Sequence, residues 1–218
     1  MLENGFITPE QHDAARTQKL IYRAPSETPV HGEYATEAAR QLVYAQYGDD
    51  AYTVGLNVYL TINSNDQMAA YRALRRGILD YERRQFYRGP EAYIDLPADA
   101  QDIDTRVAEA LTDHPDNDEL KAGVVLQVSA KKLVAALQSG ETVTVTGDGL
   151  KPVMSGLGDK ANPKTQIRRG AVIRLTKAQS GTWTATQLPD VEGAFVSLDP
   201  RTGAIAAMIG GFDQAKSK

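Results

Sequence analysis

The residues that could do chemistry in this 218-residue chain are few, and Ser129-Ala130-Lys131-Lys132 comes first. It matches S-x-x-K, a serine-acylating pattern in which a helix N-terminus presents the serine and the lysine sits one turn later beside its Oγ. Here the motif falls between VVLQV and LVAAL, so a hairpin turn is expected, and in a turn Ser and Lys do not converge. The companion motifs are missing as well. No S-x-N follows, Lys164-Thr165-Gln166 lacks the glycine of K-T-G, and Arg201-Thr202-Gly203 follows Asp-Pro in turn chemistry. No catalytic residue is nominated.

Other constellations are weaker. Gly147-x-Gly149 and Gly156-x-Gly158 read as turn glycines, because Pro152 and Pro163 interrupt any phosphate-cradling helix. Asp102-x-Asp104 and Asp116-x-Asp118 lack the glycine and distal glutamate of a calcium loop. His12, His31 and His114 are far apart, and there is no cysteine. No metal, disulfide or cofactor is therefore expected.

Charge is uneven within a net −4. Residues 67–90 carry six arginines (72, 75, 76, 83, 84 and 88) against Asp80 and Glu82, whereas 91–120 carry ten acids against Arg106. Such blocks either attract each other within the molecule or dock another chain. Residues 151–190 hold seven Lys/Arg against Asp159 and Asp190, but Trp183 is the only aromatic of 123–190. A single-strand-binding groove needs stacking platforms, so nucleic acid is not expected as a partner.

The elements that would position these residues begin with a capping box, Thr8-Pro9-Glu10-Gln11, opening a helix to about Leu20. Pro25 and Pro29 mark a loop. A second helix is expected over 33–47, with Tyr34, Ala38, Leu42 and Ala45 on one stripe and Gly48 past its end. Leu56, Val58, Leu60 and Ile62 alternate with polar or aromatic neighbours as in a half-buried strand. A box at Ser64-Asn65-Asp66-Gln67 opens a helix to about Arg84, burying Met68, Tyr71, Leu74, Ile78 and Tyr81. A short acidic helix follows near 101–111, with Ile103, Val107 and Leu111 inward.

From Gly123 the pattern turns to strands at 124–128, 132–137, 142–146, 172–176 and 182–188, with one long connection over 150–170. Five short antiparallel strands of this kind suit a Greek-key barrel of OB type. The fold class expected is α+β: a five-stranded OB-like Greek-key β-barrel with flanking helices and partial strands of neighbouring domains. Strands at 194–198 and 204–209 flank Asp199-Pro200-Arg201-Thr202-Gly203. The second is apolar on both faces, as in a strand inside a larger sheet. No apolar run reaches the length of a membrane span, and Met1-Leu2-Glu3-Asn4 opens no signal peptide.

Several segments together resemble one family. Gly55-Leu-Asn-Val-Tyr-Leu-Thr-Ile-Asn63 resembles the "GL-x-V-x-T-T-I-D" strand of class A penicillin-binding proteins, and a long helix follows it as in them. Arg83-Arg-Gln-Phe-Tyr-Arg-Gly-Pro-Glu91 resembles the "RR-x-GYRGPE" stretch of their 1A branch. Residues 193–213 resemble the strand pair that opens their transpeptidase domain. Gly5-Phe-Ile-Thr-Pro-Glu-Gln11 and Tyr34-x-x-Glu37-x-x-Arg40 resemble the end of their glycosyltransferase domain.

The family's catalytic glutamates would lie before Met1, and its S-x-x-K, S-x-N and K-T-G motifs after Lys218, so no residue here inherits a catalytic role. The resemblance implies an interdomain segment: a glycosyltransferase tail (1–54), a linker strand and helix (55–91), an OB-like domain (92–190) and the first transpeptidase strands (191–218). It also implies a periplasmic location within an inner-membrane-anchored parent, the neighbouring glycosyltransferase and transpeptidase domains as partners, and docking of an outer-membrane lipoprotein activator. Two other classes remain: an autonomous nucleic-acid-binding OB protein, and a stand-alone acyl-serine hydrolase, which requires a helix starting at Ser129.

Overall fold

The computed structural model describes residues 1–2, 4–17, 30–96, 100–158, 160–178 and 180–212. Helix α1 spans Pro9–Thr17. Its capping box is formed in both directions: the Thr8 N–H donates to Gln11 Oε1 at 2.9 Å, and the Gln11 N–H to Thr8 Oγ1 at 3.3 Å. Residues 18–29, with the expected end of this helix and the Pro25/Pro29 loop, lie outside the described residues. Helix α2 spans Glu33–Tyr47 and stops at Gly48, whose φ of 57° a side chain would resist. The expected stripe is only partly inward. Ala35 is buried and Tyr34 and Ala38 half-buried, but Leu42 is 73% exposed.

Residues 56–62 correct the sequence reading. They form no strand, and Leu56, Val58, Tyr59 and Leu60 are exposed. Alternation records which faces a stretch could bury, while a ladder needs a neighbour for its backbone. Only the end of this stretch finds one: Thr61 Oγ1 donates to the Ile205 carbonyl, and the Asn63 N–H to that of Ala206.

Helix α3 spans Ser64–Glu82. Its cap is Asn63, whose Oδ1 accepts from the N–H groups of Asn65 and Asp66, and not the expected Ser64 box. The buried residues are Gln67, Ala70, Arg75, Ile78 and Glu82. Of the expected face Ile78 is buried, Tyr71 and Leu74 are half-buried against the cores, and Tyr81 is 48% exposed. Helix α4 spans Ala100–Thr112, with Val107 and Leu111 buried as expected.

One antiparallel sheet carries β1 (Ala92–Tyr93), β2 (Lys121–Val128), β3 (Lys132–Leu137), β4 (Thr142–Thr146), β5 (Ala171–Lys177) and β6 (Trp183–Thr186). Its order is β1-β5-β2-β3-β4, with β6 on β5 beside β1. Because β5 returns to lie against β2, the four strands β2–β5 form a Greek key. Val143 and Val145 of β4 point inward between outward threonines, whereas β2 and β5 are buried on both faces.

Two cores explain that double burial. Val125, Leu133, Val145, Ile173 and Leu175 fill the concave side with Leu150, Val153 and Ile167, while Val124 and Val172 meet Val107 and Leu111 of α4 on the other.

The five expected strands are all present, and the two-residue β1 joins them as a sixth among the described residues. No ladder joins β4 to β6, so the OB-like sheet is not closed. A 3-10 turn at Gly147–Gly156 fills the gap instead. There Gly149 is wedged so tightly that a Cβ would stand 2.3 Å from the Trp183 carbonyl oxygen and 2.9 Å from Val145 Cγ1.

A separate hairpin pairs β7 (Ala194–Leu198) with β8 (Ile205–Gly210). Ala207 and Ile209 pack on Ala70, Tyr71 and Leu74 of α3.

Candidate functional site: the junction on helix α3

Three polar side chains on the buried face of α3 (Gln67, Arg75 and Glu82) each hold a different part of the chain. Gln67 is fully buried. Its Oε1 accepts the Met208 N–H at 2.8 Å, and its Nε2 donates to the carbonyls of Met208 (2.9 Å) and His31 (2.8 Å). The amide therefore acts as a short strand against the outer edge of β8, where an unpaired N–H and C=O would otherwise be buried at a cost.

Arg75, 4% exposed, is the centre of the junction. Its Nε donates to both Glu119 carboxylate oxygens at 3.1 Å, Nη1 to the Phe212 carbonyl at 2.7 Å, and Nη2 to the Asn117 Oδ1 at 2.8 Å. The guanidinium also lies 3.9 Å over the Phe212 ring. Its partners come from a tight turn at 117–120, in which Asn117 and Leu120 exchange backbone hydrogen bonds and Asp118 adopts a φ of 50°. Every residue of that turn engages the α3 body. Asn117 and Glu119 hold Arg75, Asp118 accepts from the Tyr71 hydroxyl, and Leu120 is fully buried against Ile78 and Phe212. Burial pushes the Asp118 carboxyl above its ordinary value.

Glu82, 3% exposed, ties together the two stretches that cross between α3 and the sheet. It accepts from Arg88 Nη1 at 2.5 Å and from Gln187 Nε2 at 2.6 Å. Arg88 in turn donates its N–H to Gln187 and its Nη2 to the Leu188 carbonyl, and pairs with Asp190.

Further into the sheet, Arg174 is 4% exposed and holds Glu91 through two bonds of 2.5 and 2.8 Å, with a third to the Pro115 carbonyl at 2.6 Å. Burial alone would raise the Glu91 carboxyl. The Arg174 guanidinium, aided by His114, outweighs it and holds the group below its usual range.

The expected turn at Ser129 is present. The Ser129 N–H donates to the Lys132 carbonyl at 2.8 Å, and its Oγ accepts from the Lys132 N–H at 3.1 Å, so the hydroxyl is engaged in the β2–β3 hairpin. That geometry removes the helix a stand-alone acyl-serine hydrolase requires. Gly147-x-Gly149 and Gly156 lie in the 3-10 turn. Asp116 caps the Ala122 N–H and pairs with Lys121. Asp104 is not brought to it, and the side chain of Asp102 lies outside the described residues. Among the described residues no group of three His, Asp or Glu is placed to hold a metal ion. Trp183 packs against the inner core beneath Lys177 and is no open stacking platform.

The comparisons with known proteins follow the same outline as this geometry. Residues 87–191 match the penicillin-binding protein OB-like domain. Penicillin-binding protein 1A of Neisseria lactamica is 39% identical over 215 residues, which is 98% of this chain and 27% of that protein. Over its whole length the chain is homologous to part of penicillin-binding protein 1A. Penicillin-binding protein 1A of Escherichia coli K12 is 32% identical, over 100% of this chain and 26% of its own length. The crystal structure of penicillin-binding protein 1A from Haemophilus influenzae superposes with a TM-score of 0.75 at 28% identity, covering 100% of this chain and 31% of that one.

The chain thus spans about a quarter of the length of the penicillin-binding protein 1A sequences it matches, and it is homologous to a non-catalytic region of them. No described helix is long and apolar enough to cross a membrane.

Sequence reasoning placed the five longer strands of the sheet and the β7–β8 hairpin, misplaced one at 56–62, and missed the junction. Arg75 and Arg88 were visible only as members of a basic block. The available signal was Gln67, Arg75 and Glu82 recurring at near-heptad spacing inside an apolar stripe.

Proposed function

We propose that this chain is the interdomain spacer and docking segment of a bifunctional peptidoglycan synthase. The parent polymerises glycan and cross-links stem peptides through an acyl-serine, in the periplasm and anchored in the inner membrane, where it is a target of penicillins and a locus of resistance. Within it, residues 1–54 are the tail of the glycosyltransferase domain, 55–91 the linker, 92–190 the OB-like domain and 191–218 the first transpeptidase strands. The neighbouring catalytic domains are its partners, and an outer-membrane lipoprotein activator docks on it.

The observation that carries this reading is whole-chain similarity to penicillin-binding protein 1A, together with an S-x-x-K held in a hairpin turn. A spacer must join its neighbours mechanically, and the α3 junction ties the sheet to the hairpin through buried, partnered polar groups.

The test is incubation of the chain with fluorescent penicillin, read on a denaturing gel and by peptide mass spectrometry. No covalent adduct is expected, and stoichiometric labelling of Ser129 overturns the reading. Binding of the purified lipoprotein activator to the immobilised chain tests the docking role, and its absence removes that part alone.

A further inference from the structure

The sheet is attached to the α3 body at two places of different character. The first is where the chain crosses, at 82–91 going out and 187–190 coming back. There Glu82, Arg88 and Gln187 staple the two crossing stretches to each other. A body joined only at such a staple can rotate about it, because the two strands of chain meet at nearly one point.

The second attachment lies at Arg75, two helical turns or about 10 Å further along α3, and no covalent chain crosses there. It consists of the 117–120 turn, which projects from the start of β2 and sets Leu120 between Ile78 and Phe212. Its acidic members are half open to solvent: the side chains of Asp118 and Glu119 are 45% and 39% exposed. Asp118 borders a cavity of about 300 Å³ lined also by His31, Glu33, Tyr34 and Tyr71. The turn is held by Arg75, by the Tyr71 hydroxyl on Asp118 and by a single buried leucine.

We propose that the 117–120 turn is a releasable latch, with Arg75 as its positioning residue and the Glu82–Arg88–Gln187 staple as the hinge. When the latch is seated, the OB-like sheet and the β7–β8 hairpin move as one body through α3. When it lifts, the sheet swings while both bodies keep their folds. Arg75 is the coupling point because the same guanidinium holds the turn and the Phe212 carbonyl beyond β8. A load on the sheet thus reaches the end of the hairpin through Arg75 and through Leu120, which packs on Phe212. This inference concerns the chain's own mechanics and stands or falls separately from the enzyme it serves.

The test uses the absence of cysteine in the chain. Nitroxide labels at Thr144→Cys on β4 and Arg72→Cys on the exposed face of α3 report the distance between the bodies by double electron–electron resonance. The unsubstituted junction is expected to give one narrow distance. Asn117→Ala with Glu119→Gln is expected to broaden it about twofold or add a second distance. The same variant is expected to lose hydrogen-exchange protection at the Leu120 N–H, with protection in the β2–β5 ladder unchanged.

An unchanged distance once the turn has lost protection overturns the proposal. Loss of ladder protection together with the turn overturns it too, since the turn is then part of the sheet's fold. A broad distance in the unsubstituted junction does the same. Arg75→Lys, which keeps the charge and loses the fork, is the second variant. It is expected to loosen the latch to a lesser degree, and a distance as narrow as in the unsubstituted chain counts against Arg75.

Discussion

Replacing Glu91 by Gln removes one charge from the most enclosed ion pair of the sheet while conserving its shape. Arg174 stays 4% exposed and keeps only the Pro115 carbonyl and one amide oxygen in place of a carboxylate that accepted two bonds at 2.5 and 2.8 Å. Leaving one partner of a buried pair behind costs about 3 kcal/mol, because the remaining charge has lost its solvent and its counter-ion together. In a chain of this size that is a fall of about 6–12 °C in Tm.

Trp183 is the only tryptophan and packs against the inner core, so its fluorescence during urea unfolding reports the sheet specifically. The pH dependence adds a second readout. The Glu91 carboxyl is depressed in the folded state, so its contribution is complete above the ordinary glutamate value and is lost as pH falls through the folded one. The unsubstituted chain should therefore lose stability on acidification more steeply than Glu91→Gln, and the two curves should converge in acid. A loss below about 1 kcal/mol, or parallel curves, would show that the pair behaves as a solvated surface contact and refute the reasoning.

Three further substitutions separate the parts of the fold. Gly170→Ala would place a Cβ 2.1 Å from the Ile94 carbonyl oxygen at a φ of 84°, so circular dichroism is expected to show loss of the folded sheet. Leu111→Ala opens a cavity in the core between α4 and the sheet and should cost about 2–5 kcal/mol by the Trp183 signal. Gln67→Leu leaves the Met208 N–H and C=O without their side-chain partners, so hydrogen exchange at Met208 should accelerate while the Trp183 transition stays in place.

What was legible in the sequence was whatever is decided locally. Val143 and Val145 alternating with threonines, the Thr8–Gln11 box and the Ile103/Val107/Leu111 stripe carry their own neighbours with them, and each was found where expected. Residues 56–62 show the limit of the same reasoning, since their alternation is real but the backbone partner of a strand is a tertiary matter. The cap of α3 lay one residue early because Asn63 and Ser64 are both good caps and only the backbone decides between them. Arg75 and Glu119 stand 44 residues apart in the two charge blocks, and composition showed that such blocks could attract but not which pair would be buried. Closure is a related case: the five longer strands were readable and the two-residue β1 was not, whereas the plug between β4 and β6 depends on how far the sheet curls.

That plug has a consequence for solubility. The Thr-Val-Thr-Val-Thr run of β4 is uncharged and rich in β-formers, which as a bare edge would template pairing with another molecule. The Gly147–Gly156 turn packs between β6 and the end of β4, with Gly149 wedged against Trp183 and Val145, so it shields part of that edge. Loosening the turn, for instance by a side chain at Gly149, would expose an adhesive strand before it unfolded the domain, and the first sign of damage would be fibrous or amorphous aggregate.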